Sequence, residues 1–184
     1  DYYFGLRAST FMLVDSKNRY GTITRVLHWV MALAFLWMLF TASVHFIDRD
    51  SALNNAVWRY HSMVGFTVFL LALVRVLWVL IQYRRRPDNE WTVRLGHLAL
   101  YVLMIITPVL ALLRALGSGR GFNYFGWQVI APSEEKIEFL VSLANQWHSV
   151  CGWILFLFIV GHVAMTFYHR SKGPEHDVLP RIIG

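Results

Sequence analysis

Apolar residues fall into four long runs separated by short polar breaks, and this pattern alone predicts an architecture. The runs cover about Ile23 to Ile47, Val57 to Tyr83, Leu95 to Leu116 and Asn145 to Tyr168. Each reaches the roughly 20 residues that an α-helix needs to cross a bilayer. A helix satisfies its own backbone polar groups, so such runs predict transmembrane helices. Pro108, inside the third run, is accommodated as a kink. "RRRPDNEW" makes a short charged turn between the second and third runs. The longest connection, Gly117 to about Gln146, holds "GSGRGFNYFGW" and then "PSEEKIEF", which predicts a loop followed by a short interfacial helix. The expected fold is all-α, an integral membrane four-helix bundle over residues 21–184. Residues 1–20 form a separate segment to which no role can be given.

Composition strengthens the membrane reading. Hydrophobic residues make up 57% of the 184 and charged ones 15%, against roughly 25% charged in an ordinary soluble protein. Eight Trp and eight Tyr suit a chain that meets lipid headgroups, where amphipathic aromatics collect. The formal charge of +6 does not point to nucleic acid, because the basic residues flank apolar runs instead of forming a stripe. The single cysteine, Cys151, excludes an internal disulfide and any CxxC metal or haem-attachment motif.

The basic residues also orient the bundle. Arg7, Lys17, Arg19, Arg25, Arg84, Arg85, Arg86, Arg94, Arg170, Lys172 and Arg181 fall on one side; Arg49, Arg59, Arg114, Arg120 and Lys136 fall on the other. The positive-inside rule then places both termini and the triple-arginine turn in the cytoplasm.

Ionisable groups inside membrane helices are costly and mark functional sites by default. The fourth run carries His148 and His162, fourteen residues apart. That interval advances about 21 Å and falls about 40° short of four full turns, so both share a face at different depths. His61 in the second run matches the depth of His148, and His28 in the first matches that of His162. Two imidazoles at each depth suit a low-spin b haem, which takes one neutral ring nitrogen at each axial position. Zinc asks for three or four clustered protein ligands, so it fits less well. Gly65 and Gly152 each lie four residues after a histidine, where a missing side chain makes room for a macrocycle or for close helix packing. Arg75, fourteen residues after His61, suits a haem propionate, with snorkelling to the membrane edge as the alternative. His97 is a second possible partner for His162. His97 and His169 are also candidates for a quinone or propionate contact, or simply helix ends in water. His45 has no evident mate, and His176 lies in the polar tail.

The stretches "RYGTITRVLHWV", "YHSMVGFTVFLLALVRVLW", "RLGHLALY", "FGW" and "WHSVCGWILFLFIVGHVAM" together resemble the bacterial cytochrome b561 family over about residues 19–184. The resemblance implies a bacterial inner-membrane protein with two b haems, axially ligated by His28, His61, His148 and His162. It further implies electron transfer between a periplasmic donor and the quinone pool, with ubiquinone or another quinone as partner. In one branch the donor is superoxide, which would make the protein a superoxide oxidase. The same helix arrangement resembles haem b relay subunits of membrane-bound hydrogenases and formate dehydrogenases, so docking to a periplasmic dehydrogenase or respiratory complex is the alternative. A histidine-lined transporter without haem is a third reading. Against Arg49, Arg59, Arg114, Arg120 and Lys136, the periplasmic side sets Asp48, Asp50, Glu134, Glu135 and Glu138. That balance argues against global steering of an anion and leaves a local funnel, with Arg59 beside His61 the best candidate.

Overall fold

The computed structural model describes residues 12–183, and the chain crosses the bundle four times. Helix α1 spans Thr22–Ile47. A short helix α2, Ala52–Val57, and a 3-10 turn, Trp58–Tyr60, lead into α3, His61–Gln82. Helix α4 spans Trp91–Gly117, and α5 spans Glu138–Ser171. A last helical turn, α6, covers Pro180–Ile183. All four long helices are long and apolar enough to cross a membrane, as the runs of hydrophobic residues predict. The bundle has a termini end, where α1 and α4 start and α3 and α5 finish, and an opposite end. The latter carries the α4–α5 connection and is called here the hairpin end.

That connection differs from expectation. Strands β1, Phe122–Tyr124, and β2, Trp127–Ile130, form an antiparallel hairpin. Phe125 and Gly126, with φ of 48° and 84°, supply the two left-handed positions that a tight two-residue turn requires. No separate interfacial helix forms over Pro132–Phe139 among the described residues. Instead α5 starts at Glu138 and runs unbroken for 34 residues. Its start is set by the Ile137 N–H, which donates to the Gly117 carbonyl at 2.8 Å and joins the two helix ends. Glu138 in the first turn also suits the positive end of the helix dipole. The third helix begins four residues before the expected Leu95, at Trp91.

The part of the N-terminal segment within the described residues is a docked loop. Asp15 is 3% exposed and accepts from the Gly21 N–H at 2.8 Å and the Thr24 hydroxyl at 2.7 Å. It thereby caps α1 in place of a side chain at the cap position itself. Arg86, at the end of α3's trailing turn, lies 3.7 Å from the other carboxylate oxygen. Gly21 is required here, because a Cβ would lie 2.5 Å from the Val14 backbone.

Packing is uneven. Among the long helices, α1 lies closely on α3, α3 on α4, and α4 most extensively on α5; α5 has no comparable contact with α1 or α3. A small core of Met31, Ala72, Met104 and Leu155 ties the four together at mid-height. Leu33, Leu77, Leu80, Leu157 and Val160 point outward at 60–69% exposure. In water such a surface would be untenable, whereas around a bundle of spanning helices it is the face presented to lipid. The chain is a multi-pass membrane protein.

Candidate cofactor sites at two depths of the bundle

At the hairpin end, His61 opens α3 and His148 lies in α5, near enough for its charge to act on the His61 ring. Both rings are held from behind through Nδ1. His148 Nδ1 lies 2.8 Å from the Thr107 carbonyl of α4. A carbonyl can only accept, so Nδ1 carries the proton and Nε2 keeps its lone pair. His61 Nδ1 lies 2.9 Å from the Thr41 hydroxyl of α1. That hydroxyl donates to the Met38 carbonyl at 3.1 Å, so it accepts from His61, whose Nε2 is bare in turn. Trp58 stacks on the His61 ring at 4.4 Å between centroids, and His45 stacks on the other face of Trp58 at 3.7 Å. His45 therefore has two mates, Trp58 and the buried Asn54, whose side-chain oxygen lies 3.2 Å from His45 Nδ1.

At the termini end, three histidines converge. The His28 and His162 rings are 6.2 Å apart between centroids, and His97 lies 5.4 Å from His162 in an edge-to-face contact. His28 and His162, on α1 and α5, would be the pair to hold a group between two helices, whereas His97 meets His162 where α4 lies on α5. Arg75 stands over this cluster. Its guanidinium is 3.2 Å from His28 Nδ1, 3.9 Å from the Met31 sulfur and 5.7 Å from the Tyr101 ring, and its buried Nε has no partner. Arg75 can only donate, so His28 Nδ1 accepts and the ring proton sits on Nε2. His28 is thus set differently from His61 and His148.

Residues 19–184 match the family described as prokaryotic cytochrome b561. The chain belongs to that family. It is similar to cytochrome b561 homolog 2 of Escherichia coli, 25% identical over 183 residues, covering 92% of this chain and 94% of the relative. It is also similar to cytochrome b561 homolog 1 of the same organism, at 21% over 176 residues, 88% of this chain and 96% of the relative. This cytochrome b561 is a membrane cytochrome, and its family implies b-type haem.

The residues present suit such a group. The histidines lie on α1, α3 and α5, and α5 is the helix held off from the other two, which leaves width for a flat ring between them. The Nδ1 partners of His61 and His148 supply the outer support that metal-bound imidazoles ordinarily have. A Cβ at Gly152 would meet only the Thr107 methyl, at an ordinary 3.9 Å, so no close helix approach requires that glycine. Gly65 differs, because its Cβ would press on the Met38 methyl at 3.2 Å, as close packing against α1 would ask.

Other sequence candidates separate from the sites. His169 contacts only the Tyr168 ring edge among aromatic neighbours, and exposed His176 pairs with Glu175 at 3.7 Å. Arg59 is exposed and lies over the Tyr60 ring at 4.8 Å. Sequence reasoning passed over Thr41, Trp58 and Thr107 as site residues.

Proposed function

We propose that this cytochrome b561 holds two b haems (protohaem IX), one between His61 and His148 and one between His28 and His162. It passes electrons between a donor at the hairpin end and the quinone pool. The hairpin end faces the periplasm and both termini face the cytoplasm of a bacterial inner membrane. The observation that carries the reading is that the paired histidines project from helices that meet only at the small mid-height core and a few ring contacts and otherwise lie apart. Haem, once bound, supplies one-electron chemistry at iron.

The chain's own share is geometric and electrostatic. His61 with His148, and His28 with His162, would hold the two groups, which would supply electron exchange. The Thr107 carbonyl and Thr41 hydroxyl hold the ring protons on Nδ1 and keep Nε2 as the ligating atom. At the other site, His28 would have to carry its ring proton on Nδ1 to offer Nε2, and the Arg75 guanidinium, 3.2 Å from Nδ1, would then need an acidic partner, which a haem propionate would supply. Superoxide is the donor this reading takes, and ubiquinone or another quinone the acceptor. A second reading, a haem relay subunit docked to a periplasmic dehydrogenase or respiratory complex, is favoured by the balanced charge of the hairpin end.

Absorption spectra and haem extraction test the reading. The purified protein should show a Soret band, a reduced α-band and two haems per chain; a colourless protein overturns it. His148→Ala should remove one haem and His162→Ala the other. Loss of the same haem from both variants would refute the pairing. Anaerobic mixing with superoxide, with and without a quinone analogue, separates the two donor readings: direct haem reduction supports the first, and no reduction with a co-purifying redox partner supports the second.

A further inference from the structure

Each histidine pair has one arginine of its own. Arg75 serves the termini end, and the equivalent at the hairpin end is Arg114. On α4, Arg114 lies seven residues beyond Thr107, two turns along the same face and about 10 Å nearer the hairpin end. Thr107 is the residue whose carbonyl holds His148. On α5, Asn145 lies one turn before His148, and its side-chain oxygen is 3.5 Å from the Arg114 guanidinium. Arg114 is near enough to both His61 and His148 for its charge to act on each ring. Arg120 adds a second positive charge nearby.

The half-buried guanidinium is poorly matched by what surrounds it. Among the described residues its side chain makes one hydrogen bond, the long one to Asn145, and none of the ion pairs there includes it. A guanidinium offers a planar fork of donors that fits a carboxylate two-on-two, and leaving such a charge half-buried without an acid is costly.

We infer that Arg114, assisted by Asn145, is the carboxylate clamp for the macrocycle held between His61 and His148. This rests on the two-haem reading above. It replaces Arg59 with Arg114 as the cation that matters at the hairpin end. Haem b carries two propionates, so the chemistry demanded is already on the cofactor. A diffusible anion offers the same chemistry, and an open cleft of about 800 Å³ lined by Gly117, Lys136, Glu138 and Asn145 reaches the partner of Arg114, Asn145.

The test is a potentiometric and infrared comparison of wild type, Arg114→Gln and Arg114→Lys, each also in the His162→Ala background that keeps only the hairpin-end haem. Removing a positive charge disfavours the reduced state, so Arg114→Gln should lower the reduction equilibrium of that haem about tenfold, or ~59 mV for one electron. The other haem should stay put, and Arg114→Lys should shift less. In redox difference infrared spectra with haem labelled with ¹³C at the propionate carboxylates, the label-sensitive band should move in Arg114→Gln. Two haems with unchanged potentials and an unchanged labelled band in Arg114→Gln would overturn the clamp. So would a potential that follows added phosphate or chloride while the labelled band stays fixed, which would give Arg114 to a diffusible anion. A wild-type protein without haem would instead sink the function proposed above, so the two failures are distinct.

Discussion

Replacing Thr41 by Val isolates one hydrogen bond behind one proposed ligand. Thr41 is fully buried, at 0% exposure, and its hydroxyl accepts from His61 Nδ1 at 2.9 Å while donating to the Met38 carbonyl at 3.1 Å. Valine keeps the branched shape and the restricted χ1 and removes only the hydroxyl's chemistry. His61 then has two poor options. It can keep the proton on Nδ1, unpaired and buried, at about 1–3 kcal/mol. Alternatively it can move the proton to Nε2 and lose the lone pair that binds iron. Both weaken haem at this site, and at 1.4 kcal/mol per decade the first amounts to about 5- to 140-fold in affinity, which spans the roughly 10- to 100-fold lost with an outer-shell partner of a metal ligand. The assay is transfer of haem to excess apomyoglobin, following how many haems leave and how fast. Thr41→Val should shed one haem quickly while the second stays as in wild type. Thr41→Ser, which keeps the hydroxyl and loses a methyl, should stay close to wild type. Equal losses in the two variants would show that packing, not the hydrogen bond, matters. Loss of the other haem would refute the site assignment.

Gly152→Leu should leave helix content by circular dichroism unchanged and, on the proposed two-haem reading, reduce haem from two per chain to one, because the side chain would take up room the ring would need. Two haems in that variant would exclude the region around Gly152 as the cofactor's place. Asp15→Ala removes two hydrogen bonds and the charge partner of Arg86. It should cost about 3 kcal/mol, read as a lower melting temperature in detergent together with faster proteolysis between residues 12 and 20. Tyr124→Phe removes the hydroxyl's bond to Thr67 at 2.9 Å. It should cost about 1 kcal/mol and speed amide exchange in the hairpin but not in the helices.

The four spans were legible because lipid selects composition over twenty residues at a time, and no neighbour is needed to read it. The fourteen-residue interval between His148 and His162 was legible for a similar reason: it is a property of one helix. Features set by contacts between helices were not. A backbone carbonyl has no signature, so the Thr107 partner of His148 emerges only when α4 lies on α5. Thr41 precedes His61 by twenty residues and meets it only once α1 packs on α3. The start of α5 was hidden behind Glu134, Glu135 and Lys136, which read as an interfacial segment, while the bond from Ile137 to Gly117 decides it. In "FNYFGW" the aromatics masked a hairpin whose register depends on pairing Tyr124 with Trp127. Arg59 is adjacent to His61 in sequence by two positions, yet Arg114, fifty-three positions away, is the arginine beside the pair.

The bond between Tyr124 and Thr67 joins residues 57 positions apart, with Thr67 donating in turn to the Met63 carbonyl at 3.0 Å. Phe66 adds contacts to the Phe122 and Tyr124 rings at 5.3 and 4.8 Å. Considered as an order of assembly, this latch cannot close until α4 has been threaded through the bilayer and the chain has turned back toward α3. It therefore requires the insertion of three helices and nothing from α5. Thr41, Trp58 and His61 all lie in the same earlier stretch of chain, one wall of the hairpin-end site, and His148 is the last of these residues to be made.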